Sequence, residues 1–225
     1  MIEKNNVSAL RQIQNKNRVE IVDNAGKTRV LFVGNSITRH EPKPEIGWIN
    51  DWGMAASKRE NDYVHVVLKF LSNRFGKIDY CVVNCGEWET EYYNDALLYH
   101  WEKARDFNAD IVVVRLGENI WNAKEYFAQF SLSTHFERMV KFFTPLNAKI
   151  VVTGLFWPNT EIDLAIKNTA KKLGATLVAL DDLCIEENMA IGQFAHGGVC
   201  MHPNDNGMRK IAERIVCAIN SMKIM

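Results

Sequence analysis

No stretch of this 225-residue sequence stays hydrophobic for longer than a strand. A membrane-spanning helix needs about 20 apolar residues in a row, so none is expected. The opening segment, MIEKNNVSALRQIQNKNRVEIV, is polar and lacks the apolar stretch of a secretory signal. Excess charge is missing too: 27 basic and 27 acidic side chains give a formal net charge of +0. A nucleic-acid or anionic-membrane partner would call for a basic surface, and neither is expected. The 5 cysteines form no CxxC pair and no Cys/His cluster with zinc spacing. No metal site and no cofactor is expected, and an odd cysteine count without a leader points to a reducing, cytoplasmic setting.

What is present is enough apolar material, 47% of residues, for one ordinary buried core. There is no repeat and no low-complexity tract. The chain divides into an N-terminal extension over residues 1–26 and a single domain over 27–225. Within that domain, short runs rich in Val, Ile and Leu fall at 29–33, 78–83, 111–116, 150–153 and 176–180. Nearly continuous apolar runs of this length suit strands buried on both faces of a parallel sheet. Between and after them, the spacing predicts helices over 63–75, 95–107, 127–143, 161–173 and 207–222, the last capped by Asn204 or Asp205. Alternating β and α units predict an α/β fold built on a five-stranded parallel sheet with right-handed crossovers.

In such sheets, sites form beyond the C-terminal strand ends. The first strand ends in Gly34-Asn35-Ser36, the second in Asn84-Cys85-Gly86-Glu87-Trp88 and the third in Gly117-Glu118-Asn119. Met201-His202-Pro203 precedes the last helix. A serine hydroxyl becomes a nucleophile when a base takes its proton, and the oxyanion it creates needs fixed donors. Ser36 supplies the hydroxyl and His202 the base. The N–H of Ser36, the N–H of Gly86 and the side-chain amide of Asn119 are the candidate donors. Each residue also has a plainer reading: Ser36 and Asn119 as helix caps, Gly86 and Gly117 as turn glycines, His202 as a surface histidine. Gly34-Asn35-Ser36 lacks the lysine of a phosphate-binding P-loop.

Taken together, Gly34-Asn35-Ser36, Gly86, Gly117-Glu118-Asn119 and His202-Pro203 resemble, in order and rough spacing, the four sequence blocks of the SGNH (GDSL-like) hydrolases. The resemblance implies a flavodoxin-like, three-layer α/β/α sandwich. It implies ester hydrolysis through an acyl-enzyme, with Ser36 as nucleophile, His202 as base, and Ser36, Gly86 and Asn119 as oxyanion hole. Three positions depart from the family pattern. Asn35 stands where Gly-Asp-Ser has aspartate; an asparagine still accepts local backbone hydrogen bonds. Ile120 stands where the third block often has aspartate. Val199 stands where an aspartate normally precedes the histidine by three positions. The partner of the His202 Nδ1–H is therefore a backbone carbonyl near Val199, a carboxylate such as Glu87 or Glu118, or absent in a weak or inactive relative. The first of these is the reading adopted.

Of 6 tryptophans, five fall in loops on the catalytic side of the sheet: Trp48, Trp52, Trp88, Trp121 and Trp157. As a set they read as walls of a sugar-binding cleft, with Glu41, Glu45, Asn50, Asp51, Glu87 and Glu89 as a polar rim. Large aromatics also serve as core, and that alternative stands for each one separately. The loop over 39–53, long for a βα connection, is expected to cover Ser36. His40 and His196 are further candidates for substrate contact. The expected substrate is a small ester, an acylated and most simply an acetylated sugar. A general short-chain esterase or thioesterase and a non-catalytic sugar-binding module are the alternatives.

Overall fold

The computed structural model describes residues 19–222. Five strands run parallel: β2 (Thr28–Gly34), β3 (Ile78–Asn84), β4 (Ile111–Arg115), β5 (Lys149–Thr153) and β6 (Thr176–Val178). A sixth, β1 (Val19–Val22), pairs antiparallel with β3, from Val19↔Val83 to Val22↔Tyr80. The sheet order is β1-β3-β2-β4-β5-β6, so the expected count of five strands is corrected to six. The added strand lies in the segment set apart as an N-terminal extension. It has four residues, one of them Glu20, and none is fully buried. So short and polar an edge strand leaves no periodic signal to read. Residues 1–18 of that extension lie outside the described residues.

The central strands are buried on both faces, which is why they read as continuous apolar runs. In β2, Leu31 and Val33 enter one core with Val112, Val114, Trp88 and Phe136. Val30 and Phe32 enter the other with Val113, Val151, Val64 and Ile211. Helix α1 (Tyr63–Phe75) lies on the second face, beside the long C-terminal helix. Two short helices, α2 (Gly86–Thr90) and α3 (Glu102–Asp106), then α4 (Leu132–Phe143) and α5 (Thr160–Leu173), contribute to the first core. A single turn, α6 (Gly197–Cys200), precedes the C-terminal helix α7 (Asp205–Ser221). The result is the expected three-layer α/β/α sandwich. No helix among the described residues is long and apolar enough to cross a membrane.

Boundaries differ from expectation where capping decided them. Ser131 caps α4 by accepting from Thr134 N–H, so that helix starts at Leu132 rather than at Phe127. Asn204, not Asp205, caps α7 by accepting from Gly207 N–H. The helix expected over 95–107 is a 3-10 stretch, Asp95–Trp101, followed by α3.

The end of β2 is the tightest point of the frame. A Cβ at Gly34 would stand 1.8 Å from Thr38 Oγ1 and 2.8 Å from the Arg115 carbonyl oxygen. Thr38 is itself buried and bonded to the Tyr63 hydroxyl at 2.8 Å, so neither neighbour has room to yield. Gly34→Ala is expected to lower stability by about 1–3 kcal/mol, the usual cost of overpacking. Urea unfolding followed by circular dichroism measures it, and an unchanged midpoint would contradict the packing argument.

Candidate active site

The strand ends converge as parallel topology requires. Cys85 N–H bonds the Gly34 carbonyl at 2.6 Å, drawing the turn after β3 against the turn after β2. No helix starts at the end of β2: a turn over residues 35–38 follows it directly. Thr38 and Arg39 N–H both bond the Asn35 carbonyl, which closes a tight turn around Ser36. The capping alternative for Ser36 therefore falls away. Its hydroxyl lies 2.8 Å from His202 Nε2.

His202 arrives from the other end of the chain. The α6 turn and the cap of α7 hold the segment between them, and Ala190 N–H bonds the His202 carbonyl at 2.9 Å. Its Nδ1 faces the Gly198 carbonyl at 2.8 Å. A carbonyl only accepts, so Nδ1 carries the proton and Nε2 presents its lone pair to Ser36. The orienting partner is a backbone carbonyl one residue from Val199. Val199 itself is buried with Trp48, Met54, Ala55 and Ala190. Neither acid named as a substitute reaches the ring: Glu118 is paired with Arg115 at 2.8 Å, and Glu87 stands 3.7 Å from His100. Burial lowers the His202 pKa to about 4, against a smaller raising effect of the Gly198 hydrogen bond.

The donors differ in readiness. Among the described residues nothing accepts from Ser36 N–H. Asn119 Nδ2 gives one proton to Glu89 Oε2 at 2.5 Å and keeps a second. Its side chain makes no cap on the 3-10 turn that follows. Gly86 N–H is engaged by Asn84 Oδ1 at 2.8 Å and would have to exchange that partner for an oxyanion.

Beneath these groups lies a fully buried polar cluster that the sequence did not reveal. Arg115, at the end of β4, bonds Glu118 Oε1 at 2.8 Å and Asn35 Oδ1 at 2.6 Å. Asn35 Nδ2 gives its two protons to Glu118 Oε2 at 2.7 Å and Glu89 Oε1 at 3.0 Å. Glu89 was expected on the polar rim, yet its exposure is 0%. Burial raises its pKa, and the neighbouring Glu118 charge adds to that, against its hydrogen bonds to Asn119, Asn35 and Gly117. One signal was available: an arginine inside the run IVVVRL is a buried cation that must find partners.

Ser36, His202, Gly86 and Asn119 line one cleft of about 390 Å³. Arg39, His40, Glu41 and Ile46 of the 39–53 loop line the same cleft, with Glu87 and His196. None of the five tryptophans does, and this corrects the expected aromatic walls. Trp48 and Trp88 are fully buried, Trp48 against Trp52 and Phe194, Trp88 against Phe136. Trp52 is tied to the Ala56 carbonyl and borders a separate hollow. Trp121 is exposed beside Lys124 and Phe127. Only Trp157 touches the site, its ring edge-on to His202 at 5.1 Å between centroids.

No protein-family model and no curated protein matches the sequence. Solved structures do match the fold. An acetylxylan esterase from Geobacillus stearothermophilus is 17% identical, with 88% of this chain and 96% of that one covered at a TM-score of 0.56. The acetyl xylan esterase AlAXEase is 16% identical over 85% of this chain and 99% of its own, at 0.55. The psychrotrophic esterase EstA from Pseudoalteromonas sp. is 16% identical over 86% and 97%, at 0.51. These esterases share the layered α/β fold of this chain.

Two expectations follow from this geometry. Protonated Nε2 cannot accept the Ser36 proton, so titration of His202 should lower activity as pH drops through about 4, below any limb set by Glu89, whose pKa burial and the Glu118 charge raise. A profile of kcat/KM against pH, with circular dichroism at each point to follow folding, checks this; a profile flat through pH 4 while the protein stays folded contradicts it. Asn35→Asp would set an acceptor against both buried carboxylates. It should cost about 3 kcal/mol or more at neutral pH, read as a lowered urea midpoint, and wild-type stability would refute the role given to the amide.

Proposed function

We propose that this protein is a serine esterase of the SGNH type that hydrolyses short acyl esters, acetyl above all, of a carbohydrate. The observation that carries the reading is the Ser36 Oγ–His202 Nε2 contact of 2.8 Å inside an open cleft, with the tautomer fixed by Gly198. Ser36 Oγ attacks the ester carbonyl carbon as His202 Nε2 takes its proton. The carbonyl oxygen becomes an oxyanion, held by Ser36 N–H and the second Asn119 amide proton. Collapse of the adduct expels the sugar oxygen, which receives the proton from His202. Water then attacks the acyl carbon as His202 takes its proton; the bond to Ser36 Oγ breaks, His202 returns the proton to Ser36, and the carboxylic acid leaves.

The imidazolium formed on the way is met only by a carbonyl dipole. A buried cation without a carboxylate is costly, and a pKa of about 4 makes His202 a weak base. The turnover should therefore be modest beside that of a triad enzyme. The acyl group is small because the apolar cleft lining is limited to Ile46, Met54 and Val199 beside polar groups. Arg39, Glu41, Glu87, His40 and His196 line the cleft and offer hydrogen bonds to sugar hydroxyls. The acetylxylan esterases that share the fold favour the same substrate class.

The test is hydrolysis of 4-nitrophenyl acetate and of acetylated xylo-oligosaccharides by the wild type, Ser36→Ala and His202→Ala. Both substitutions should lower kcat by roughly three orders of magnitude or more. Preference for the nitrophenyl ester with no action on acetylated sugars would favour a general short-chain esterase. A wild type that neither hydrolyses esters nor reacts with a fluorophosphonate probe would favour a sugar-binding module.

A further inference from the structure

The side-chain amide of Asn119 poses a problem that hydrogen-bond geometry alone does not solve. Its oxygen and nitrogen are nearly the same size, and the terminal torsion of asparagine is broad and roughly two-fold. One orientation turns N–H protons toward an oxyanion. The other turns a carbonyl lone pair toward it, which would repel the developing charge. Something must distinguish the two, and a carboxylate does so because, when ionised, it only accepts.

Glu89 stands where that selection happens. Its Oε2 accepts from Asn119 Nδ2 at 2.5 Å, while its Oε1 accepts from the Asn119 N–H at 3.3 Å and the Gly117 N–H at 2.6 Å. One side chain thus fixes both the amide and the backbone that carries it. Gly117 lies at φ 145°, a conformation that favours glycine, so the turn bearing Asn119 is shaped for this approach. The remaining bond to Oε1 comes from Asn35 at 3.0 Å, and Asn35 in turn holds Arg115. The partners of Glu89 are all N–H donors, four in number, which is the pattern of a carboxylate; burial and the Glu118 charge still raise its pKa to about 7, so the ionised form is the one present above that pH.

We propose that Glu89 is a positioning residue that sets the orientation of the Asn119 amide and so keeps its second proton directed at the oxyanion. The inference rests on the esterase reading only for its kinetic consequence. Glu89 acts on Asn119 as Gly198 acts on His202: each supplies an acceptor that admits one of two nearly isosteric states. In Glu89→Gln the new amide cannot satisfy all these donors. With its oxygen kept on the three donors at Oε1, its NH2 faces Asn119 Nδ2, and Asn119 must flip to present its carbonyl.

The experiment is a double-mutant cycle of Glu89→Gln and Asn119→Ala, with kinetics on 4-nitrophenyl acetate and side-chain amide NMR. Glu89→Gln is expected to lower kcat about 10²-fold, the usual effect of losing one oxyanion donor, with KM within about two-fold. The double variant should be no slower than Asn119→Ala alone, because the two residues act as one unit. Additive losses, or a Glu89→Gln enzyme with wild-type kcat, overturn the proposal. A general loss of packing would lower thermal stability and add to the Asn119→Ala defect. The NMR arm needs no turnover: the Asn119 NH2 pair, assigned by its loss in Asn119→Ala, should move strongly in Glu89→Gln, and an unmoved pair overturns the proposal. A wild type without esterase activity would remove the proposed function yet leave that arm decisive. Should Glu89→Gln fail to fold, Glu89→Asp enters the same cycle and NMR comparison. Its carboxylate is one methylene shorter and draws back from Asn119, with the same non-additivity and shift expected and the same results overturning the idea.

Discussion

The Asn35 amide joins two buried acids to one buried arginine, and the face of the sheet that carries Ser36 is assembled around it. It is the side chain just before the serine, at the end of β2, and it reaches the ends of β4 and α2 at once. Its oxygen takes the guanidinium of Arg115, and its two protons go to Glu118 and Glu89. Arg115 and the carboxylates fix which way it points, since the cation only donates and ionised acids only accept. An aspartate in its place would put three carboxyl groups around one guanidinium. The departure from Gly-Asp-Ser is therefore a consequence of Glu89 and Glu118, which sit 54 and 83 residues away in sequence. Buried charges of this kind survive only when each is paired and each lone pair is met.

The histidine shows the same economy from the opposite direction. With Val199 turned into an apolar cluster around Trp48, no carboxylate reaches Nδ1, and the turn of α6 brings the Gly198 carbonyl there instead. A carbonyl dipole fixes the tautomer as well as a carboxylate would. It does less for the charge that appears when the proton arrives, and burial opposes that charge as well. Orientation and charge stabilisation, which an aspartate supplies together, are separated in this site.

Much of the frame was legible. The five parallel strands and the helices α1, α5 and α7 followed from apolar runs and capping residues, and the strand-end motifs named the serine and histidine that the fold brings together. The misses share a physical cause. β1 is a four-residue edge strand and earns its place by pairing with β3, not by a pattern of its own. The tryptophans were placed correctly in loops, but a loop can fold its aromatic ring inward. Trp48 and Trp88 are fully buried, and only Trp157 reaches the site. Glu89 was read as a rim residue because charge usually means exposure, and here four donors made burial tolerable.

The sequence by itself determined the layered α/β fold, because strand-length apolar runs separated by amphipathic helices have few other ways to bury themselves. It also placed a serine at a strand end and a histidine ahead of the last helix, the pair that the fold brings to 2.8 Å. Only the tertiary structure decided what orients them. The acceptor for His202 is a main-chain carbonyl, which every residue possesses and no sequence marks. The acceptor for Asn119 is a glutamate, whose role depends on whether the fold buries it among donors or leaves it in water.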